Sequence, residues 1–80
     1  MSDNDKLGVE VGFWGDKFMP IRFVWLGRRY EIKRISVIFQ KKINNKSFLG
    51  FEVDTGLVTA ELLLDKENLE WKIEDIVFQD

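Results

Sequence analysis

The segment from Pro20 to Phe39 constrains the fold of this chain more than any other, because its large apolar residues recur at alternate positions, Phe23 and Trp25 before Gly27 and Tyr30 and Ile32 after it. Strict alternation is the period of an extended strand with one buried face. Two such runs around a glycine predict a β-hairpin. If Gly27-Arg28 forms a type II′ loop, Leu26 faces Arg29, Trp25 faces Tyr30, Phe23 faces Ile32 and Arg22 faces Lys33. Phe23, Trp25, Tyr30 and Ile32 then share one face, which is the expected core face. The alternation breaks at Lys33-Arg34 and resumes as Ile35, Val37 and Phe39, the pattern of a β-bulge and a bent strand.

Similar patterns recur along the chain. Leu7, Val9, Val11 and Phe13 alternate with Gly8, Glu10 and Gly12, predicting a first strand that turns near Gly15-Asp16-Lys17. Pro20 has no N–H to donate and suits the start of the next strand. Gln40 to Ser47 reads as a loop around Asn44-Asn45, and Phe48 to Asp54 as a strand. Asp54-Thr55-Gly56 predicts a three-residue loop with Gly56 left-handed, leading into a strand over Leu57 to Leu64. A four-residue loop, Asp65 to Asn68, would close on a left-handed Asn68 and set Leu64 against Leu69, Leu62 against Trp71, Ala60 against Ile73 and Glu61 against Lys72. A second bulge is expected at Glu74-Asp75. The competing reading of this part is helical, since Leu62, Lys66, Leu69, Ile73 and Ile76 also fit one helix stripe.

The fold expected from these segments is all-β: a small antiparallel meander of five or six strands, strongly bent and closing toward a small barrel. With 80 residues, 45% of them hydrophobic, the chain can build one core and no second domain. Residues 1–6 read as a flexible polar tail and residues 7–80 as a single β domain. There is no cysteine, no signal-like start and no apolar run of spanning length, so a cytoplasmic protein without membrane contact is expected.

Chemistry is sparse. The chain has no histidine and no cysteine, and its three serines, Ser2, Ser36 and Ser47, stand in no nucleophile motif. No catalytic residue, cofactor or metal is therefore expected. Asp65-Lys66-Glu67-Asn68 lacks the ligand spacing of a calcium loop and reads as a turn.

Charge is the localised signal. The net charge is -2, yet residues 17–46 carry nine cations against Glu31 alone, while residues 47–80 carry nine anions against Lys66 and Lys72. Arg22, Arg28, Arg29, Lys33, Arg34, Lys41 and Lys42 are the candidate contacts for nucleic acid or another anion, beside aromatics that could stack on bases. Neutralisation by acidic neighbouring strands is the competing explanation, and the like-charge pair Arg22/Lys33 asks for an anion close by.

The residues Phe23-x-Trp25-x-Gly27-Arg28-x-Tyr30, followed by Glu61 to Asp65 and by Trp71 to Ile73, resemble a family of short uncharacterised bacterial domains built on an F-x-W-x-G-R-x-Y hairpin. The resemblance covers roughly residues 18–78 and departs at Ile35 to Phe39, where this chain lacks a tryptophan. It implies a small all-β domain and assigns no functional residue.

Apolar residues left on the outward phase suggest a surface for another protein or a second copy. Trp14, Phe18, Val24 and Leu26 are the candidates for that surface. A non-enzymatic interaction module is the expected function, with anion or nucleic-acid binding between Arg22 and Lys46 as the alternative.

Overall fold

The structure, a computed structural model, describes residues 6–79. The expected tail lies outside them except for Lys6. Seven strands follow one another: β1 (Leu7–Trp14), β2 (Lys17–Trp25), β3 (Arg28–Glu31), β4 (Arg34–Ile43), β5 (Lys46–Asp54), β6 (Val58–Asp65) and β7 (Trp71–Phe78). They form two antiparallel meanders, a three-stranded sheet β1-β2-β3 and a four-stranded sheet β4-β5-β6-β7. The fold is therefore all-β, but it is two sheets and not a closed barrel.

The extra strand arises where sequence alternation predicted one bent strand. The chain leaves the first sheet after Glu31 and enters the second at Arg34. Ile32 donates its N–H to Ile21 O at 3.0 Å, and Lys33 donates to Asp54 O at 2.8 Å, so two successive residues bond to different sheets. The register break expected at Lys33-Arg34 is this crossover. A bulge does follow, between Ile35 and Val37. Its effect is to place Ile35 and Ile38 opposite Val53 and Phe51 on the core face, and Val37 and Phe39 on the other.

The inner faces cover each other. Phe23 and Tyr30 stack at 5.0 Å between ring centroids, and they pack with Phe51, Val53, Val58, Ala60 and Leu62 in one buried cluster. Phe18 meets Phe51 edge-on at 6.1 Å, and Trp71 reaches the same ring from β7. Burial of such aromatic and branched side chains contributes roughly 1.5–3 kcal/mol each and is the main favourable term set against the entropy of ordering the chain.

The second sheet also buries part of its outer face. Gly50 is paired with Phe39 and Leu63, and the Phe39 ring lies directly over it: a Cβ on Gly50 would stand 2.5 Å from a ring carbon. Glycine is required there by close approach rather than by backbone angle. Beside it, Leu63 and Phe48 are buried although both fall on the outward phase.

Two loops differ from expectation by a shift of register. The first hairpin turns at Leu26-Gly27, with φ of 53° and 81°, a type I′ geometry. Phe23 accordingly faces Tyr30, Trp25 faces Arg28, and Arg22 faces Glu31 instead of Lys33. The core face is unchanged, while the like-charge pair is replaced by an ion pair. In the last hairpin the left-handed residue is Leu69, and Leu64 faces Trp71 while Leu62 faces Ile73. Glu61 faces Glu74 rather than Lys72. Residues 60–73 contain no helix; strand pairing of Leu62 and Leu64 uses the same apolar residues that fit a helical stripe.

Elsewhere the expected loop Gln40 to Ser47 contracts to a two-residue turn, with Asn44 and Asn45 at φ of 50° and 67°. Pro20 sits within β2, opposite Val11 beside a second bulge, where its missing N–H is tolerated. The Thr55 to Leu57 loop has Gly56 at φ 89°, and the Thr55 hydroxyl accepts N–H bonds from Leu57 and Val58. At Asp75, φ is 53° near the register shift of the β6/β7 pair.

Leu26 supplies a test of the observed register. A branched side chain in the left-handed region costs about 1–2 kcal/mol, whereas asparagine enters it readily. Leu26→Asn is expected to stabilise the protein by about 0.5–1 kcal/mol, raising the thermal midpoint by several degrees. A lower midpoint in urea and thermal unfolding would contradict the Leu26-Gly27 turn.

Candidate protein interface

The charge segregation seen in the sequence is largely resolved by strand pairing. Arg22, on the outer face of β2, lies between Glu10 of β1 and Glu31 of β3, forming ion pairs with both, the latter at 3.0 Å. These partners raise its pKa further, first through the bond to Glu10. Lys41 bridges Glu61 at 3.4 Å and Glu74 at 3.5 Å, and Lys72 joins Glu74 at 3.5 Å. Glu61 and Glu74 are direct cross-strand neighbours, so these lysines offset a like-charge pair. The attraction of Glu61 is the leading cause of the raised Lys41 pKa. Arg22 and Lys41 are thus occupied internally.

Arg28, Arg29, Lys33, Arg34 and Lys42 form no ion pair among the described residues. Arg28 lies over the Tyr30 ring at 5.5 Å, where the cation meets the negative face of the aromatic system. The structure does not bring all five together. Arg28 and Arg29 belong to β3, Lys33 and Arg34 to the crossover and its exit, and Lys42 to the far end of β4. Tyr30 and Phe23 are buried in the core, and Trp25 is half-buried against it, so the hairpin aromatics are not a stacking platform.

The apolar candidates also separate. Phe18 is half-buried and packs on the core. Val24 and Leu26 are exposed on the first hairpin. Trp14 is 59% exposed, its indole folded back over Gly12. It borders a groove of about 330 Å³ between the end of the β1/β2 hairpin and the start of β4. Met19, Pro20, Ile32, Ile35 and Ile38 line that groove, and Lys33 and Arg34 stand at it. Ile38 is 49% exposed, unusual for a branched residue on a core face. Sequence reasoning missed Ile38 because the bulge at Ser36 reverses its phase. The adjacent Val-Ile-Phe run, which no single alternation can bury, is the signal that marks it.

A second cavity of about 410 Å³ lies on the opposite side of the four-stranded sheet, lined by Ile43, Lys46, Phe48, Asp65, Glu70 and Lys72 among others. Asp65 is its most buried polar residue, and its role is structural. Its carboxylate accepts N–H bonds from Glu67 at 2.8 Å and Asn68 at 3.4 Å, shaping the β6/β7 loop, and pairs with Lys46 at 3.7 Å. Among the described residues, no group of three or more acidic side chains could hold a metal ion, and no helix is long and apolar enough to cross a membrane.

Comparison with family models, with curated proteins and with solved structures finds no match.

Asp65 gives a pH prediction. The Glu67 N–H bond, ahead of the other partners, holds its pKa below the ordinary 3.8. A depressed carboxylate pKa stabilises the fold above the unfolded value, and that contribution disappears as pH falls through the lower folded value. Asp65→Ala should therefore be less stable than the parent protein at neutral pH. The gap between them should narrow as pH drops below 3.8 in denaturant titrations; a gap independent of pH would remove the carboxylate from this role.

Proposed function

We propose that this chain is a non-enzymatic protein-interaction module that docks a partner in the groove between the β1/β2 hairpin and β4. The observation that carries this reading is one concave surface combining exposed Trp14 and Ile38 with Lys33 and Arg34, which have no ion-pair partner among the described residues. Aromatic and branched anchors flanked by charge are what a protein interface concentrates. A reducing cytoplasmic setting fits a chain without cysteine. The resemblance to the short bacterial F-x-W-x-G-R-x-Y domains supports the same small β scaffold and adds no activity.

Small organic probes test the groove without knowledge of the partner. In NMR spectra recorded with increasing isopropanol, saturable shifts are expected at the Trp14 indole and at the Met19 and Ile38 methyl groups. Trp14→Ala with Ile38→Asp should abolish them while leaving the remaining spectrum folded. Shifts spread evenly over the exposed leucines and valines would argue against a defined docking site.

Anion binding is the second reading, favoured by the unpaired state of Arg28, Arg29, Lys33, Arg34 and Lys42. It rests on summed positive potential, which the neutralised Arg22 and Lys41 reduce. A single-stranded oligonucleotide should then shift the amides of Arg28, Arg29, Lys33 and Arg34 at low salt, with affinity falling steeply as salt rises. Unmoved amides at low salt would end this reading.

A further inference from the structure

We propose that the free edge of β4 captures its partner by strand addition, taking up an extended segment with an apolar middle and acidic ends. The inference rests on the docking reading above and specifies its mode and the chemistry of the partner. Four strands stand at sheet edges: β1, β3, β4 and β7. Of these, β3 has four residues, β1 and β7 lie against one another, and β7 is interrupted by the left-handed Asp75. β4 is the longest strand, with ten residues, and it borders the groove.

Turn geometry fixes which backbone groups of β4 are free. A two-residue hairpin loop at Asn44-Asn45 makes Ile43 and Lys46 the closing hydrogen-bonded pair. Counting back, Lys41 and Phe39 also bond to β5, so Lys42, Gln40 and Ile38 direct their N–H and C=O groups away from the sheet. No backbone partner meets them among the described residues. Ile38 also presents its side chain to the groove. An added strand would find a hydrogen-bond template and, beside it, an apolar slot for alternate side chains.

Charge selects the occupant. Arg34 and Lys42 mark the two ends of the edge, roughly 23 Å apart along the ladder and, because of the bulge, on opposite faces of the strand. Neither has an ion-pair partner among the described residues. Two copies of β4 paired antiparallel about Ile38 would bring the Arg34 end of each copy against the Lys41-Lys42 end of the other, gathering cations at both ends of the seam. Like charges directly opposed are destabilising in a sheet, and cations on an edge are a common guard against self-pairing. An acidic strand turns both repulsions into attraction.

The test uses an eight-residue peptide blocked at both ends, with Glu at its termini and Val alternating with Thr between them, so that the two Glu side chains fall on opposite faces, and a second peptide with Lys at the termini. On adding the Glu peptide, hydrogen exchange of the Ile38, Gln40 and Lys42 amides should slow at least tenfold, while Phe39 and Lys41 stay unchanged. The Lys peptide should bind at least tenfold more weakly. Arg34→Glu combined with Lys42→Glu, both at exposed positions, should reverse that preference. Shifts at Trp14 and Ile38 without amide protection would overturn strand addition and leave groove docking standing. Equal binding of the two peptides, or no reversal in the double variant, would overturn the acidic partner. Protection of the same amides by raising protein concentration alone would make the occupant a second copy and overturn the proposal. No response of any groove residue to either peptide would remove both the mode and the docking reading beneath it.

Discussion

The crossover at Ile32-Lys33 is the constraint on which the rest of this structure depends. Each sheet has one apolar face, and neither three nor four strands can hide such a face alone. The chain must therefore fold one sheet over the other, and it does so within two residues whose N–H groups bond to opposite layers. Tyr30, just before the crossover, carries the Phe23 stack onto Val53 and Phe51, and Ile35, just after it, returns to the same core. Lengthening this link would loosen the relative position of the sheets, and the groove beside it is bounded by residues from both.

The strands were legible in the sequence because alternation reports burial on one face, a property each strand carries by itself. Phe23, Trp25 and Tyr30 share the expected face even though the turn lies one residue away from where alternation placed it. The turn position was not legible because Gly27 accepts a positive φ at either loop position, and only an exposed leucine in a left-handed conformation distinguishes them. Cross-strand charge decides between the two registers: one opposes Arg22 to Lys33, the other to Glu31. The division into two sheets was hidden for a related reason. A bulge and a crossover both interrupt alternation by a residue or two, and local pattern cannot say whether the next strand rejoins its neighbour.

The candidate site was legible in composition and not in position. Nine cations between residues 17 and 46 suggested one basic surface. Pairing instead brings Glu10, Glu31, Glu61 and Glu74 to Arg22 and Lys41, two of which come from far along the chain. The surviving cations are those at strand ends and in the crossover; even Arg34, opposite Asp54, forms no ion pair, and that carboxylate instead accepts bonds from the Gly56 N–H and the Gln79 side chain. Trp14 was identifiable because a large aromatic at a strand end has little to pack on. Ile38 was not, since its exposure follows from lying on the core side of an edge strand beyond the reach of the other sheet.

These two features, uncovered edge and uncompensated cations, bear on each other. An edge strand ten residues long with Val37, Ile38 and Phe39 at its centre has the composition of a self-pairing segment. A domain this acidic overall could have guarded that edge with carboxylates, which are abundant in β6 and β7. It carries Arg34 and Lys42 there instead, with Lys33 next to them. The same cations that repel an identical edge attract an acidic one, so protection against self-association and selection of a partner follow from a single arrangement of charge. Because the attraction acts at the ends and the apolar contact at the middle, spacing as well as sign would contribute to selectivity, and a partner of the right composition but shorter span would satisfy only half of it.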